Sequence, residues 1–268
     1  MMKLKKLAIS LALAGSAATA SAAVITTADG VFDFGGFDWA SNGSVYIQGY
    51  DIVSGLAAGT TDTFTLSYQA FAANLQDSAG NNLVLPGLNV GYEYTINATI
   101  TEQVTCVNAG CTIVTIDVVG GTWDVFTGAA NATVGAAGLS GYLDGTNILS
   151  GTFSGGDTII GAQGASNPGN ITLAGTFVGA VTMTDLAVIT PELTGTEAVS
   201  TLQFGANTTA WTRPTNWDGM GALAADTNTN FVGQADANQS FSVPEPGSLA
   251  LLGLGLGFAG MFRRRASK

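Results

Sequence analysis

The chain of 268 residues contains no histidine, and residues 23–242, here called the body, are almost without basic residues. The body has no lysine and a single arginine, Arg213. Without histidine the chain cannot form a Ser-His-Asp triad, and without lysine the body cannot form a Schiff base. Carboxylate pairs of the glycosidase kind remain, but 18 acidic residues offer so many pairs that none of them is evidence. The sequence therefore predicts a protein that is not an enzyme and needs no cofactor.

The lack of basic residues leaves the body strongly acidic. One arginine stands against 18 aspartates and glutamates, which gives the body a formal charge of −17. Such a surface cannot neutralise phosphates, so nucleic acid is excluded as a partner, and an anionic membrane surface is equally unsuitable. It attracts cations, and divalent ions can bridge it to an anionic polysaccharide.

Cysteine is also scarce, and the two cysteines lie close together. Cys106 and Cys111 flank the stretch Val-Asn-Ala-Gly, and strand-like residues lie on either side of them. A tight turn at Asn-Ala-Gly places the two thiols opposite each other in a hairpin, within reach of a disulfide. A zinc site is the alternative, but two thiolates without histidine make a poor one. We expect a disulfide, formed in an oxidising compartment.

Long apolar runs are confined to the two ends of the chain. At the amino end a lysine-rich start precedes an apolar run over residues 7–18, and Ala20 and Ala22 follow at the spacing that signal peptidase reads. Residues 1–22 are therefore predicted to be a helical secretory signal peptide, with signal peptidase as a partner.

At the carboxyl end, residues 247–262 form an uncharged stretch of 16 residues. As a helix it spans roughly 24 Å, against a bilayer core of about 30 Å, so it is short for a permanent anchor. The basic residues that follow it remain on the cytoplasmic side. The pattern predicts a short transmembrane helix that tethers the exported body to the inner membrane for a limited time.

The apolar stretch is preceded by a Pro-Glu-Pro motif and followed by an arginine cluster. The residues concerned are Val243, Pro244, Glu245, Pro246, Arg263, Arg264 and Arg265. These last 26 residues resemble the PEP-CTERM sorting signal of Gram-negative bacteria that make exopolysaccharide. The resemblance implies processing by exosortase, a membrane cysteine transpeptidase, at or near the Pro-Glu-Pro motif. It places the sorting signal at residues 243–268 and the protein at the cell surface or in the extracellular matrix.

The body has the alternating pattern of β-strands. Over residues 90–100 the apolar residues alternate with polar ones, and the stretch over residues 62–70 does the same with Phe64, Leu66 and Tyr68. About ten such stretches, punctuated by Gly, Asn and Asp, favour an all-β fold, an antiparallel β-sandwich or jelly-roll, with a β-helix as the alternative. We expect the β-rich domain to cover residues 23–205, and residues 206–242, which are more polar, to be a loop-rich linker.

Two weaker kinds of site remain. Asp33 and Asp38, around a pair of glycines, are candidate Ca²⁺ ligands, although the pattern is not that of an EF-hand. Trp211 and Trp217 flank Arg213 in the polar region and are candidates for stacking on sugar rings, with core packing as the ordinary alternative.

Near the start of the body, residues 25–52 read ITTADGVFDFGGFDWASNGSVYIQGYDI. This stretch is similar to the start of PEP-CTERM proteins associated with flocculation. It implies a structural protein of the exopolysaccharide matrix that promotes floc or biofilm formation. The alternative is a secreted carbohydrate-binding module with a defined aromatic sugar site.

Overall fold

The computed structural model describes residues 23–133, 138–162, 174–204 and 211–242, which belong to one compact unit, Ala23–Ser242. Among these residues there are 14 strands and no helix. They are β1 (Val24–Thr27), β2 (Gly30–Asp33), β3 (Gly36–Gln48), β4 (Thr61–Gln76), β5 (Glu93–Cys106), β6 (Ile113–Gly128), β7 (Thr146–Gly156), β8 (Ile159–Ala162), β9 (Ala174–Thr184), β10 (Ile189–Thr190), β11 (Glu197–Phe204), β12 (Asn216–Trp217), β13 (Gly221–Ala222) and β14 (Asn230–Phe241).

Eight strands form a closed antiparallel ring in the order β5-β4-β3-β14-β11-β9-β7-β6, and β6 pairs back to β5. Strand β8 pairs with β6 as well, while β10-β1-β2 and β12-β13 form two small sheets. The predicted all-β antiparallel class is confirmed, and the antiparallel pairing excludes the β-helix alternative. The large sheet is continuous around the ring, a detail that the expectation of a sandwich or jelly-roll left open. The predicted signal helix and the predicted transmembrane helix both lie outside the described residues.

The alternation along β4 and β5 determines which side chains point into the ring. Residues directly opposite each other in the two strands, such as Leu66 and Ile100, share a face because the side-chain period of a strand is two. Inward side chains leave water when the ring closes, and this burial drives the folding of the sheet. The inward residues of the two strands are almost fully buried: Phe64, Leu66, Tyr68, Tyr94, Ile96, Ala98 and Ile100.

Aromatic side chains fill the interior at one end of the ring. The Phe37 and Trp39 rings, both on β3, lie 4.8 Å apart, and the Trp123 ring of β6 lies 5.9 Å from that of Phe241 on β14. Strands β6 and β14 are not neighbours in the sheet, so the second contact crosses the interior. Trp123 also covers Gly151 on the adjacent strand, where a Cβ atom would overlap the indole ring. Glycine is therefore required at that position by close packing.

The prediction of a loop-rich linker over residues 206–242 is wrong for its last part. Residues 230–241 form β14, which lies between β3 and β11 in the ring, and the body extends to Ser242. The prediction failed because the inward residues of β14 are small or polar, as Ala235, Ala237 and Gln239 show. Such residues lack the hydrophobic alternation that identifies a strand from sequence.

An outer layer, made of residues 138–145 and 211–229, covers part of the outside of the ring. Its buried residues Tyr142 and Trp217 pack with Val232 of β14. The Tyr142 backbone amide donates to Asp218 Oδ2 at 2.7 Å, and the side-chain Nε2 of Gln69 on β4 donates to the Asp218 carbonyl at 3.0 Å. Gln69 therefore points outward, as its place in the alternation requires, and is nevertheless completely buried.

The two ends of the body emerge at the same end of the ring. The Phe34 amide donates to the Ala23 carbonyl at 2.8 Å, and the Phe241 amide donates to the Gly35 carbonyl at 2.9 Å. The hairpin that joins β5 to β6 lies at the opposite end, because Thr105 pairs with the start of β4 and Gly36 with its finish.

Candidate functional site

In the sequence, the sorting signal follows the described body and the predicted signal-peptide cleavage site precedes it. Val243, Pro244, Glu245, Pro246 and the arginines 263–265 lie outside the described residues, as do Ala20 and Ala22. Within the described ranges no helix is long and apolar enough to cross a membrane.

The structure does describe Ser242, the residue before the sorting signal. The Ser242 amide donates to the carbonyl of Glu197 on β11 at 3.0 Å. The Glu197 amide donates in turn to Ser242 Oγ at 3.1 Å. The folded sheet therefore holds the chain up to Ser242, two residues before Pro244.

The predicted disulfide between Cys106 and Cys111 is present, with the two Cα atoms 4.9 Å apart. It closes the loop between β5 and β6, and Asn108 Oδ1 accepts the amides of Thr112 and Ile113 at 3.0 Å each. A neighbouring loop docks on this hairpin, since Gly59 donates its amide to the Cys106 carbonyl. The disulfide therefore fixes the tip of a hairpin at the end of the ring opposite Ser242.

The two candidate sugar-stacking tryptophans have different environments. Trp217 is only 1% exposed and lies in the core of the outer layer, so the prediction that it contacts sugar is wrong. Trp211 is partly buried against the same cluster, and its indole N–H donates to Ser44 Oγ at 3.1 Å. One partly buried indole, that of Trp211, therefore remains as a candidate for stacking on sugar, where the sequence suggested two.

Arg213, the one basic residue of the body, is bound by other residues of the body. Its guanidinium donates to Asp226 at 2.7 Å and to the carbonyls of Pro214 and Ala224. The hydrogen bond with Asp226 raises the pKa of Arg213. Asp226 also accepts the Val232 amide at 3.1 Å, so this ion pair fastens the outer layer to β14.

The two candidate calcium ligands are engaged with different neighbours. Asp33 accepts the hydroxyl and the amide of Ser78, and Asp38 accepts the side-chain amide of Asn74 at 2.9 Å. The described part of the chain contains no group of three or more Asp, Glu, His or Cys side chains placed to hold a metal ion. Calcium binding by Asp33 and Asp38 stays a prediction.

Sequence reasoning missed a row of polar side chains on the outside of the ring, here called the polar face. The sheet register brings Asp38 opposite Asn74 on one side and opposite Asn238 on the other, and Asn238 is opposite Thr201. These strands are far apart in the sequence, so no local motif could have revealed the row. The polar face consists of Asn74, Asp38, Asp236, Asn238, Thr201 and Gln203.

The polar face carries uncompensated negative charge. Partial burial, and to a smaller extent the nearby charge of Asp38, raise the pKa of Asp236. A raised pKa means that the local environment opposes the second carboxylate charge. A cation or a hydrogen-bond donor from a ligand would relieve this repulsion.

The family model of the PEP-CTERM protein-sorting motif matches residues 242–265 of the chain. Neither a curated protein nor a solved structure matches the chain. The match confirms the sorting signal predicted from the sequence, and the motif implies recognition by exosortase and export to the cell envelope or surface. The chain is therefore an exported protein with a PEP-CTERM sorting signal, attached directly to a closed antiparallel β-domain.

Proposed function

We propose that the chain is a non-enzymatic structural protein of the exopolysaccharide matrix that promotes floc or biofilm formation. The observation that carries the proposal is the polar face, which is joined through the body to a sorting signal that directs the protein outward. Carboxylates, amides and hydroxyls in a row can hydrogen-bond the hydroxyl groups of a glycan at several points at once.

The mechanism follows from the rigidity of the ring. Both neighbours of β14 hold it in register, so Asn238 and Asp38 keep fixed positions relative to each other. A backbone that is already fixed loses little further entropy when a polymer binds, and many weak contacts along one polymer add through multivalency. We infer that each copy binds weakly and that many copies crosslink the matrix.

The charge of the body determines how it meets an anionic polymer. Because Asp226 already neutralises Arg213, no cation of the body is left to attract a polysaccharide carboxylate. Divalent cations are then needed as bridges, with Ca²⁺ the natural choice for carboxylate oxygens. A neutral glycan would need no such bridge.

The test is floc formation and polymer binding in the organism that makes the protein. A strain without the gene, complemented with the full-length chain, should settle as flocs and carry the protein in its matrix. Mature protein recovered from that matrix should co-sediment with the host exopolysaccharide, and a chelator or high salt should weaken the binding if the polymer is anionic. Normal flocs without the gene, or turnover of the polysaccharide, would overturn the proposal.

The same experiment addresses the alternative of a carbohydrate-binding module. The observation that favours this alternative is the position of Trp211, whose ring is held by Ser44 at the edge of the outer layer. A single saturable oligosaccharide, with binding abolished by Trp211→Ala and insensitive to chelator, would replace the matrix proposal with the module.

A further inference from the structure

The sorting signal begins where strand β14 of the ring ends. β14 ends at Phe241, and the sorting-motif match starts at residue 242. Only Val243 lies between the hydrogen-bonded Ser242 and Pro244. The chain therefore provides no linker between the folded sheet and the motif that exosortase is expected to process.

The final residues of β14 are held on both edges. Ser240 is paired with Gly36 of β3 and with Val199 of β11, and Phe241 donates its amide to the Gly35 carbonyl. The Phe241 side chain is only 7% exposed, and its ring lies 5.7 Å from that of Phe34 and 5.9 Å from that of Trp123. Both the backbone and the side chain thus resist separation from the sheet.

Enzymes that process peptides commonly bind them as extended segments through free backbone N–H and C=O groups. A strand that already pairs with neighbours on both edges has no such groups to offer. Gln239 and Ser240 pair with both neighbouring strands, and Phe241 pairs with Ala198 on one side and bonds Gly35 on the other, so the end of β14 is in this condition.

We propose that the pairing of residues 239–242 with β3 and β11 limits the rate of processing at the sorting signal. The end of β14 must separate from the sheet before the enzyme can bind the chain across the motif. This inference rests on the proposed exosortase processing. If the inference holds, the folded body slows its own release from the membrane tether.

The experiment measures processing of the full-length chain in its host by pulse-chase, with intact mass to identify the product. One variant carries about eight Gly and Ser residues inserted between Ser242 and Val243, which by the flexible-chain scaling gives a free reach of roughly 15 Å. The matched control carries the same insertion between Ala57 and Ala58, which are exposed at the opposite end of the ring. Both variants are also made in a strain without exosortase.

We expect the linker at Ser242 to accelerate processing about tenfold, because local opening of the strand is no longer required. The control insertion should leave the rate unchanged, and loss of exosortase should abolish processing in every variant. Equal rates for the linker variant and the natural chain would overturn the inference while leaving the sorting function intact. Absence of processing in the exosortase-positive strain would overturn the processing step and the inference with it.

Discussion

The inner and outer sides of the ring are made by the same strands but have opposite chemistry. In β14 the residues Ala237 and Phe241 point inward and are buried, whereas Asn238 and Ser240, which lie between them in the sequence, are exposed. Inside, aromatic side chains from β3, β6 and β14 pack against each other. Outside, the polar face displays amides and carboxylates. Alternate positions of one strand therefore serve stability on one side and, in the function that we propose, recognition on the other, and substitutions on one side should leave the other side intact.

The largest expected effect comes from breaking the inner side at Trp123, which is completely buried. Trp123→Ala removes the ring that covers Gly151 and contacts Phe241, so the free energy of unfolding should fall by about 3–5 kcal/mol. Denaturant unfolding of the purified protein measures this change.

Two control variants make the Trp123 prediction specific. Val119→Ala on the same strand, where Val119 is 58% exposed, should change the free energy of unfolding by less than about 0.5 kcal/mol. Trp123→Phe should cost much less than Trp123→Ala, because the buried indole N–H has no hydrogen-bond partner among the described residues. Equal losses for the alanine variants at positions 123 and 119 would contradict the assignment of Trp123 to the core.

Glu102 is an exception to the division between the two sides. It lies on the inner side of β5, is 3% exposed, and burial raises its pKa to about 7. Because the folded-state pKa is above the unfolded value of about 4.5, the folded state binds the proton more tightly. The contribution of Glu102 to the free energy of unfolding should therefore be largest at low pH. This contribution should fall as the pH rises from about 4.5 to about 7, by roughly 3 kcal/mol in total.

Glu102→Gln should remove this pH dependence and stabilise the protein above pH 7 by a similar amount. Denaturant unfolding between about pH 5 and pH 8 measures the difference between the two chains. The matched control is Glu197→Gln, because Glu197 is exposed on β11 and should leave the slope unchanged. An unaltered slope in Glu102→Gln would mean that another group is responsible.

The fold class could be predicted from sequence because hydrophobic alternation is a local signal. Strands β4 and β5 alternate strongly, and their inward residues are those expected. Closure of the ring could not be predicted, since β14 pairs with β3 across about 190 residues of chain and no local pattern specifies that partner. The same applies to burial by the outer layer, which covers the outward-pointing Gln69 of β4 and buries its own Trp217, although Trp217 lies in polar surroundings in the sequence. The sorting signal could be recognised because it is a short contiguous motif, whereas the polar face depends on sheet register.

The smallest effect on stability, and the one most specific to recognition, is expected at the polar face. The double substitution Asp38→Asn and Asp236→Asn keeps the shapes of the side chains and removes two negative charges whose mutual repulsion contributes to the raised pKa of Asp236. The free energy of unfolding at pH 7 should change by less than about 0.5 kcal/mol. Calcium-dependent binding to an anionic polysaccharide should weaken about fivefold, because two partly exposed charge contacts are lost.

The matched control, Asp51→Asn with Asp157→Asn, removes the same charge from exposed sites away from the polar face and should leave binding nearly unchanged. Equal weakening in both double variants would show that net charge attracts the polymer, and that the arrangement of side chains across β3, β14 and β11 does not.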